Sequence, residues 1–254
     1  MTGTPLQGDL TAVAEESVWR SRVVAFTRWV GPGRKLTATG RVTMAHARDL
    51  VGLLGTADVI DPMIGDRVFR TKSSQELPEL NAVVEWAKAA RLVRVSSGKL
   101  MVVKKNEALL DQPMPLWARM FEVFGHLGKA ICPSGWGESL LRPEFGRGVG
   151  AMLAGIQAYG GPVGLAEVCG WAWDAVTAGY RTETATDVQQ HTWRRCSDRD
   201  VRRAMGVLAQ FGAVRLDGQD AAESVTLTPL ARWALRGDLA APEPGDPLRT
   251  VEAR

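Results

Sequence analysis

Six polar side chains in the last third of the chain have the types and spacing to act together: Arg194, Arg195, Arg199, Arg202, Arg203 and Gln210. A guanidinium is a planar fork of donors that stays charged, and it matches phosphate oxygens or the O6 and N7 acceptors of guanine. A glutamine amide can pair with adenine in the same way. Val201, Ala204, Met205, Leu208 and Phe211 recur at three-and-four spacing, which predicts a helix with those residues buried. Arg199, Arg202, Arg203, Gly206 and Gln210 then fall on the opposite face, and Arg194 and Arg195 gather at the helix entrance. Ser197 followed by Asp200 reads as an acidic capping box opening the helix, and Gly212 as its stop. The competing reading is a solvated face on which Asp198 and Asp200 pair locally with the arginines.

A second cationic set, Arg94, Lys99, Lys104 and Lys105 with Arg91 nearby, lies along Leu92–Val95 and Leu100–Lys104, which read as two strands around a Ser96–Lys99 turn. Such cations could hold a phosphate backbone, or simply protect an edge strand from aggregation. The helix before them carries Glu79, Asn81, Glu85 and Lys88 on its expected outer face, a mixed charge that suits base reading poorly. Asp217, Asp220 and Glu223 make the corresponding later hairpin acidic, and phosphate would repel it.

Other chemistries find little support. His46, His126 and His191 are isolated, and Cys132, Cys169 and Cys196 form no Cys-x-x-Cys pair, so neither a metal nor a disulfide framework is expected. No Gly-x-Ser-x-Gly occurs. Gly146-Arg-Gly-Val-Gly150 lacks the Gly-Lys-Ser/Thr ending of a phosphate loop and reads as a flexible joint. No catalytic residue, metal or cofactor is therefore expected. A net charge of only +3 over 254 residues leaves no global basic field, so a polyanion site would have to come from local clustering. The absence of a long apolar run predicts no membrane partner and a cytoplasmic location.

The elements that would position these residues are mostly helical. The pattern predicts a helix from about Thr11 that ends at Gly31-Pro-Gly33, a short strand at Leu36–Thr39, a helix capped by Thr43 and closed by Gly55, and an insertion over 57–72. A helix opened by Ser73 or Ser74 with Pro78 in its first turn precedes the first hairpin. Residues 106–127 are apolar and broken by Pro113 and Pro115, which suits packing between two halves. Later come helices at about Val149–Tyr159 and Val163–Ala178, a polar connection over Thr182–His191, the arginine helix, a strand pair around Asp217–Asp220, and a short helix from Thr228-Pro229 to Gly237. The expected organisation is a flexible 1–10, a unit over 11–105, a connector over 106–148 that includes a docked Gly- and Pro-rich joint, a second unit over 149–237, and a loose 238–254 tail. Most of the nine tryptophans sit at core spacing.

Helix, strand, turn and strand thus occur twice, at about 76–104 and 197–227. In this order of elements the chain resembles the winged helix-turn-helix superfamily over most of 11–105 and 149–236. Leu36-Thr-Ala-Thr-Gly-Arg-Val42 and Leu227-Thr-Pro-Leu-Ala-Arg-Trp-Ala-Leu235 are also similar to phrases in poorly characterised actinobacterial proteins, where Asn usually stands at Arg41 and Gly at Ala231. The resemblance implies a mainly α fold with small β-hairpin wings, an α+β class of two winged-helix units joined by a helical segment. It further implies double-stranded DNA as partner, with the helix before the wing in the major groove. The expectation is a non-enzymatic regulator or accessory factor, nucleoid-associated if it binds DNA, acting as monomer or homodimer. The alternative is a protein-interaction adaptor using the Glu79–Lys88 face and the Trp-rich joint.

Overall fold

Ser17 divides the first apolar run into two helices. Its hydroxyl accepts from the Arg20 amide at 3.3 Å, so α1 (Gln7–Glu15) ends and α2 (Val18–Val30) begins afresh, where the sequence predicts one continuous helix. The computed structural model describes residues 7–132, 139–181, 185–218 and 223–236. Expectations for the N-terminal 1–6, part of the Gly- and Pro-rich joint, the second hairpin tip, Gly237 and the 238–254 tail lie outside those residues.

The chain continues through β1 (Arg34–Lys35), two residues earlier than the expected strand, and α3 (Met44–Leu54), which Thr43 caps and Gly55 closes as predicted. The insertion holds a hairpin, β2 (Met63–Ile64) and β3 (Arg67–Val68). α4 (Pro78–Ala89) follows with Pro78 at its first turn, but Ser73 caps only the short 3-10 turn Ser74–Glu76. A distant residue caps α4 instead. The two carboxylate oxygens of Asp58 accept from the amides of Glu79 (3.0 Å) and Leu80 (2.7 Å), satisfying helix-start donors that Leu77 cannot serve.

β4 (Val93–Ser96) and β5 (Lys99–Val102) pair antiparallel across Ser97 and Gly98, both at positive φ (48° and 69°), as a two-residue turn matched to strand twist requires. A 3-10 stretch over Lys104–Asp111 leads to α5 (Pro113–Glu122), which starts at Pro113 rather than being broken by it, and to α6 (Gly128–Ile131). α7 (Phe145–Tyr159), β6 (Val163–Gly164), α8 (Leu165–Thr177), α9 (Asp187–Phe211), β7 (Val214–Asp217), β8 (Ser224–Leu227) and α10 (Pro229–Leu235) complete the described chain.

The protein is thus mainly helical with small antiparallel sheets. With α1 and the inserted β2–β3 hairpin set aside, the first half runs helix, strand, helix, helix, strand, strand (α2, β1, α3, α4, β4, β5) with sheet order β1-β5-β4, and α7, β6, α8, α9, β7 and β8 repeat that sequence of elements with order β6-β8-β7.

One core runs through both halves and the segment between them. Its centre is aromatic. Trp117 stacks on Phe211 with centroids 4.6 Å apart and planes 3° from parallel, and Trp86 contacts both Phe211 and Phe124. Both buried indoles also donate: Trp117 Nε1–H to the Phe211 carbonyl and Trp86 Nε1–H to that of Met120, each at 2.8 Å. The glycines expected to form a flexible joint, Gly146, Gly148 and Gly150, are instead helical, and the first two are tightly packed. Gly146, in the first turn of α7, lies against Gly125 so closely that a Cβ on Gly125 would come 3.1 Å from the Gly146 Cα. A Cβ on Gly148 would meet Leu141 Cδ1 at 2.3 Å. Glycine here permits close backbone approach.

Candidate nucleic-acid interface

α9 is longer than the sequence predicts, and this changes the site. Thr186 and Gln189 form a reciprocal capping box, so the helix begins at Asp187. Asp187–His191, expected to be part of a polar connection, is therefore helical, and Ser197 and Asp200 do not cap anything. Both lie inside the helix and are buried. Asp200 has no exposed surface; Ser139 Oγ donates to one carboxylate oxygen (2.5 Å) and Arg199 Nε to the other (3.0 Å). A buried carboxylate is tolerable when its lone pairs are met in this way.

Cys196, Val201, Ala204, Met205, Leu208 and Phe211 line the inner face. Arg195, Arg199, Arg202, Arg203 and Gln210 are exposed and share the outer one. At about 1.5 Å rise per residue, Arg195 to Gln210 spans roughly 22 Å. The cations do not stand alike. Arg199 is anchored to Asp200, a hydrogen bond that is the main cause of an upward shift of its pKa. Arg202 reaches Glu223 at the foot of β8 (3.2 Å), so that acidic residue is neutralised in part by the helix. Arg195 and Arg203 have no ion-pair partner among the described residues. Arg194 is turned aside, bonded to Asp198 at 3.0 Å and stacked over the Trp173 ring. Gly206 leaves the outer face open: an added Cβ would meet nothing within 4 Å.

In the first half the corresponding helix differs. α4 is buried on several sides through Leu80, Ala82, Val83, Val84, Trp86 and Ala87. Glu79, Asn81, Glu85 and Lys88, expected to be exposed, are only partly so. Glu79 is bonded to Arg22 (3.0 Å) and Lys88 to Glu85 (2.8 Å). This face offers little free charge to a partner.

The β4–β5 hairpin brings together part of its expected set. Arg94 pairs with Met101 and Ser96 with Lys99 in the β4–β5 register, so Arg94 and Lys99 share a face. Lys35 stands directly across from Lys99 on β1 and joins them, an exposed cation the sequence reading missed. Lys104 and Lys105, expected along a wing, lie beyond the β4–β5 hairpin and open the following 3-10 turn.

Cys132, Cys169 and Cys196 are free and buried. Burial pushes the Cys132 thiol far up and that of Cys169 up to about 11, so both are protonated and poor nucleophiles at neutral pH. No metal-ligating cluster occurs among the described residues, nor any helix long and apolar enough to cross a membrane. Comparison with protein-family models, curated proteins and solved structures returned no match.

Proposed function

We propose that the chain is a non-enzymatic protein that binds double-stranded DNA through two winged-helix units, with α9 as the groove-facing helix. The observation that carries this reading is the outer face of α9, where four arginines and Gln210 stand exposed ahead of the β7–β8 hairpin. The shared order of helices and strands, and the matching orders β1-β5-β4 and β6-β8-β7, support the winged-helix assignment. Arg195 and Arg203 supply unpaired charge. Arg199 and Arg202 are held by Asp200 and Glu223, and such fixed guanidiniums suit bidentate contacts. Lys35, Arg94 and Lys99 offer a second, sequence-independent phosphate contact, and two linked contacts bind together at high effective concentration. α4 contributes scaffold rather than base reading. Such a protein would act on the nucleoid, as a transcriptional regulator or accessory factor.

Fluorescence anisotropy with a labelled random-sequence duplex at low salt tests this reading. Wild type binds, and the Arg195→Ala/Arg199→Ala/Arg202→Ala/Arg203→Ala variant loses at least tenfold in affinity while keeping its helical circular-dichroism spectrum. Equal affinity of a folded variant and wild type would overturn the assignment of α9.

A further inference from the structure

The hairpin β2–β3 exposes apolar side chains on both of its faces. Met63 (73% exposed) pairs with Val68 (60%), and Ile64 (62%) pairs with Arg67 on the other side. Phe69 (50%) lies on the Ile64 side, its amide bonded to the Pro62 carbonyl at 2.9 Å, and Val59 (66%) precedes the ribbon. Apolar surface of this kind, several hundred Å² in all, marks an interaction site on a soluble protein. A two-stranded ribbon is marginal in water by itself, yet this one is clamped at its base. The Asp61 amide donates to Thr71 Oγ1 and the Thr71 amide to Asp61 Oδ1, at 2.9 and 2.8 Å, and Arg48 holds the other carboxylate oxygen at 2.9 Å. The ribbon is thus fixed at its base and bare above it.

Its charge selects among partners. Arg67 and Arg70 on the ribbon are exposed without an ion-pair partner among the described residues, against one exposed acid there, Asp66; beyond its base the exposed Lys72 is balanced by the exposed Glu76, whose carboxylate accepts from the Lys72 amide at 3.2 Å. A second copy would bring like charge to like charge, whereas a polyanion meets it. Exposure on both faces calls for a partner that walls the ribbon on two sides. The narrow minor groove does this, and apolar wedges there unstack a base step and kink the duplex. We propose that β2–β3 is a DNA-inserting arm, with Ile64 and Phe69 as the wedge and Arg67 and Arg70 on the flanking phosphates. This rests on the DNA-binding reading above.

The test uses the full chain and a random-sequence duplex carrying donor and acceptor dyes at its ends. Saturating wild type raises the transfer efficiency, because a kink shortens the end-to-end distance. Ile64→Ser/Phe69→Ser, confined to exposed positions, binds with an unchanged salt dependence but leaves the duplex straight. Arg67→Ala/Arg70→Ala lowers the salt slope by about 2, near 0.9 per phosphate contact. The proposal is overturned by a wild-type complex that is straight, or by an Ile64/Phe69 variant that bends DNA like wild type. It is likewise overturned if that variant changes only the sedimentation coefficient, which would assign the ribbon to a second copy. In these three outcomes the α9 reading stands so long as the four-arginine variant still loses affinity. Absence of any wild-type binding at low salt removes both.

Discussion

Replacing Trp117 by Phe perturbs the contact that joins the middle segment to the second half. Phe211 is the last residue of α9, and its carbonyl is one that helix geometry leaves without an intrahelical partner. Trp117 Nε1–H supplies that partner at 2.8 Å, while its ring stacks on Phe211 and Phe121. Trp117 is fully buried. Phe at this position keeps a stacked ring but strands a buried carbonyl, at about 1–3 kcal/mol, and leaves space where the second ring was. The expected loss is about 3 kcal/mol, and Trp117→Ala should cost roughly 5 kcal/mol, the upper end for a buried aromatic. Urea unfolding followed by far-UV circular dichroism and by tryptophan fluorescence measures both. Because one core spans the molecule, the two probes should give a single coincident transition that moves to lower urea with unchanged slope. A loss under 1 kcal/mol for Trp117→Phe, or separate transitions for wild type, would refute the reasoning.

Three further outcomes follow from named contacts. Gly206→Ala should stabilise the protein by up to about 1 kcal/mol, since the added Cβ meets nothing in the chain and alanine favours helix; thermal melts check this, and under the proposed DNA-binding reading duplex affinity should fall because the methyl stands on the open outer face. Arg48 and the Thr71 amide hold the Asp61 carboxyl below its ordinary value. The clamp is therefore fully formed above the usual carboxylate range and is lost as pH falls through the depressed pKa, so amide exchange at Thr71 should accelerate only in strong acid. Cys169 is protonated in the fold up to about pH 11 but ionises near 8.5 when unfolded. Its contribution to stability should decline across that interval, and iodoacetamide at pH 8 should label it quickly only in denaturant.

Local signals along the chain were legible where one residue does one job. Thr43 and Gly55 bound α3, Gly98 turns the first hairpin, and Thr228 caps α10 beside Pro229. The outer face of α9 was legible too, because Val201 to Phe211 set the phase. Its beginning was not: its first turns bury no side chain, and Ser197 and Asp200 mimic a cap while serving a buried polar contact with Ser139. Lys35 became visible only through strand register with Lys99. Asp58 caps α4 across more than twenty residues, and the glycines of α7 are spaced for contact with Gly125 and Leu141, partners that periodicity cannot name.

The salt dependence of duplex binding tests the central claim most directly. Plotted as log Kobs against log salt concentration, each arginine–phosphate contact contributes about −0.9 to the slope. Arg195→Ala/Arg203→Ala removes the two unpaired cations of α9 without touching the bonds of Arg199 or Arg202. The account predicts a slope shallower than wild type by about 2. Parallel lines for the two proteins, or no binding by wild type at low salt, would contradict it.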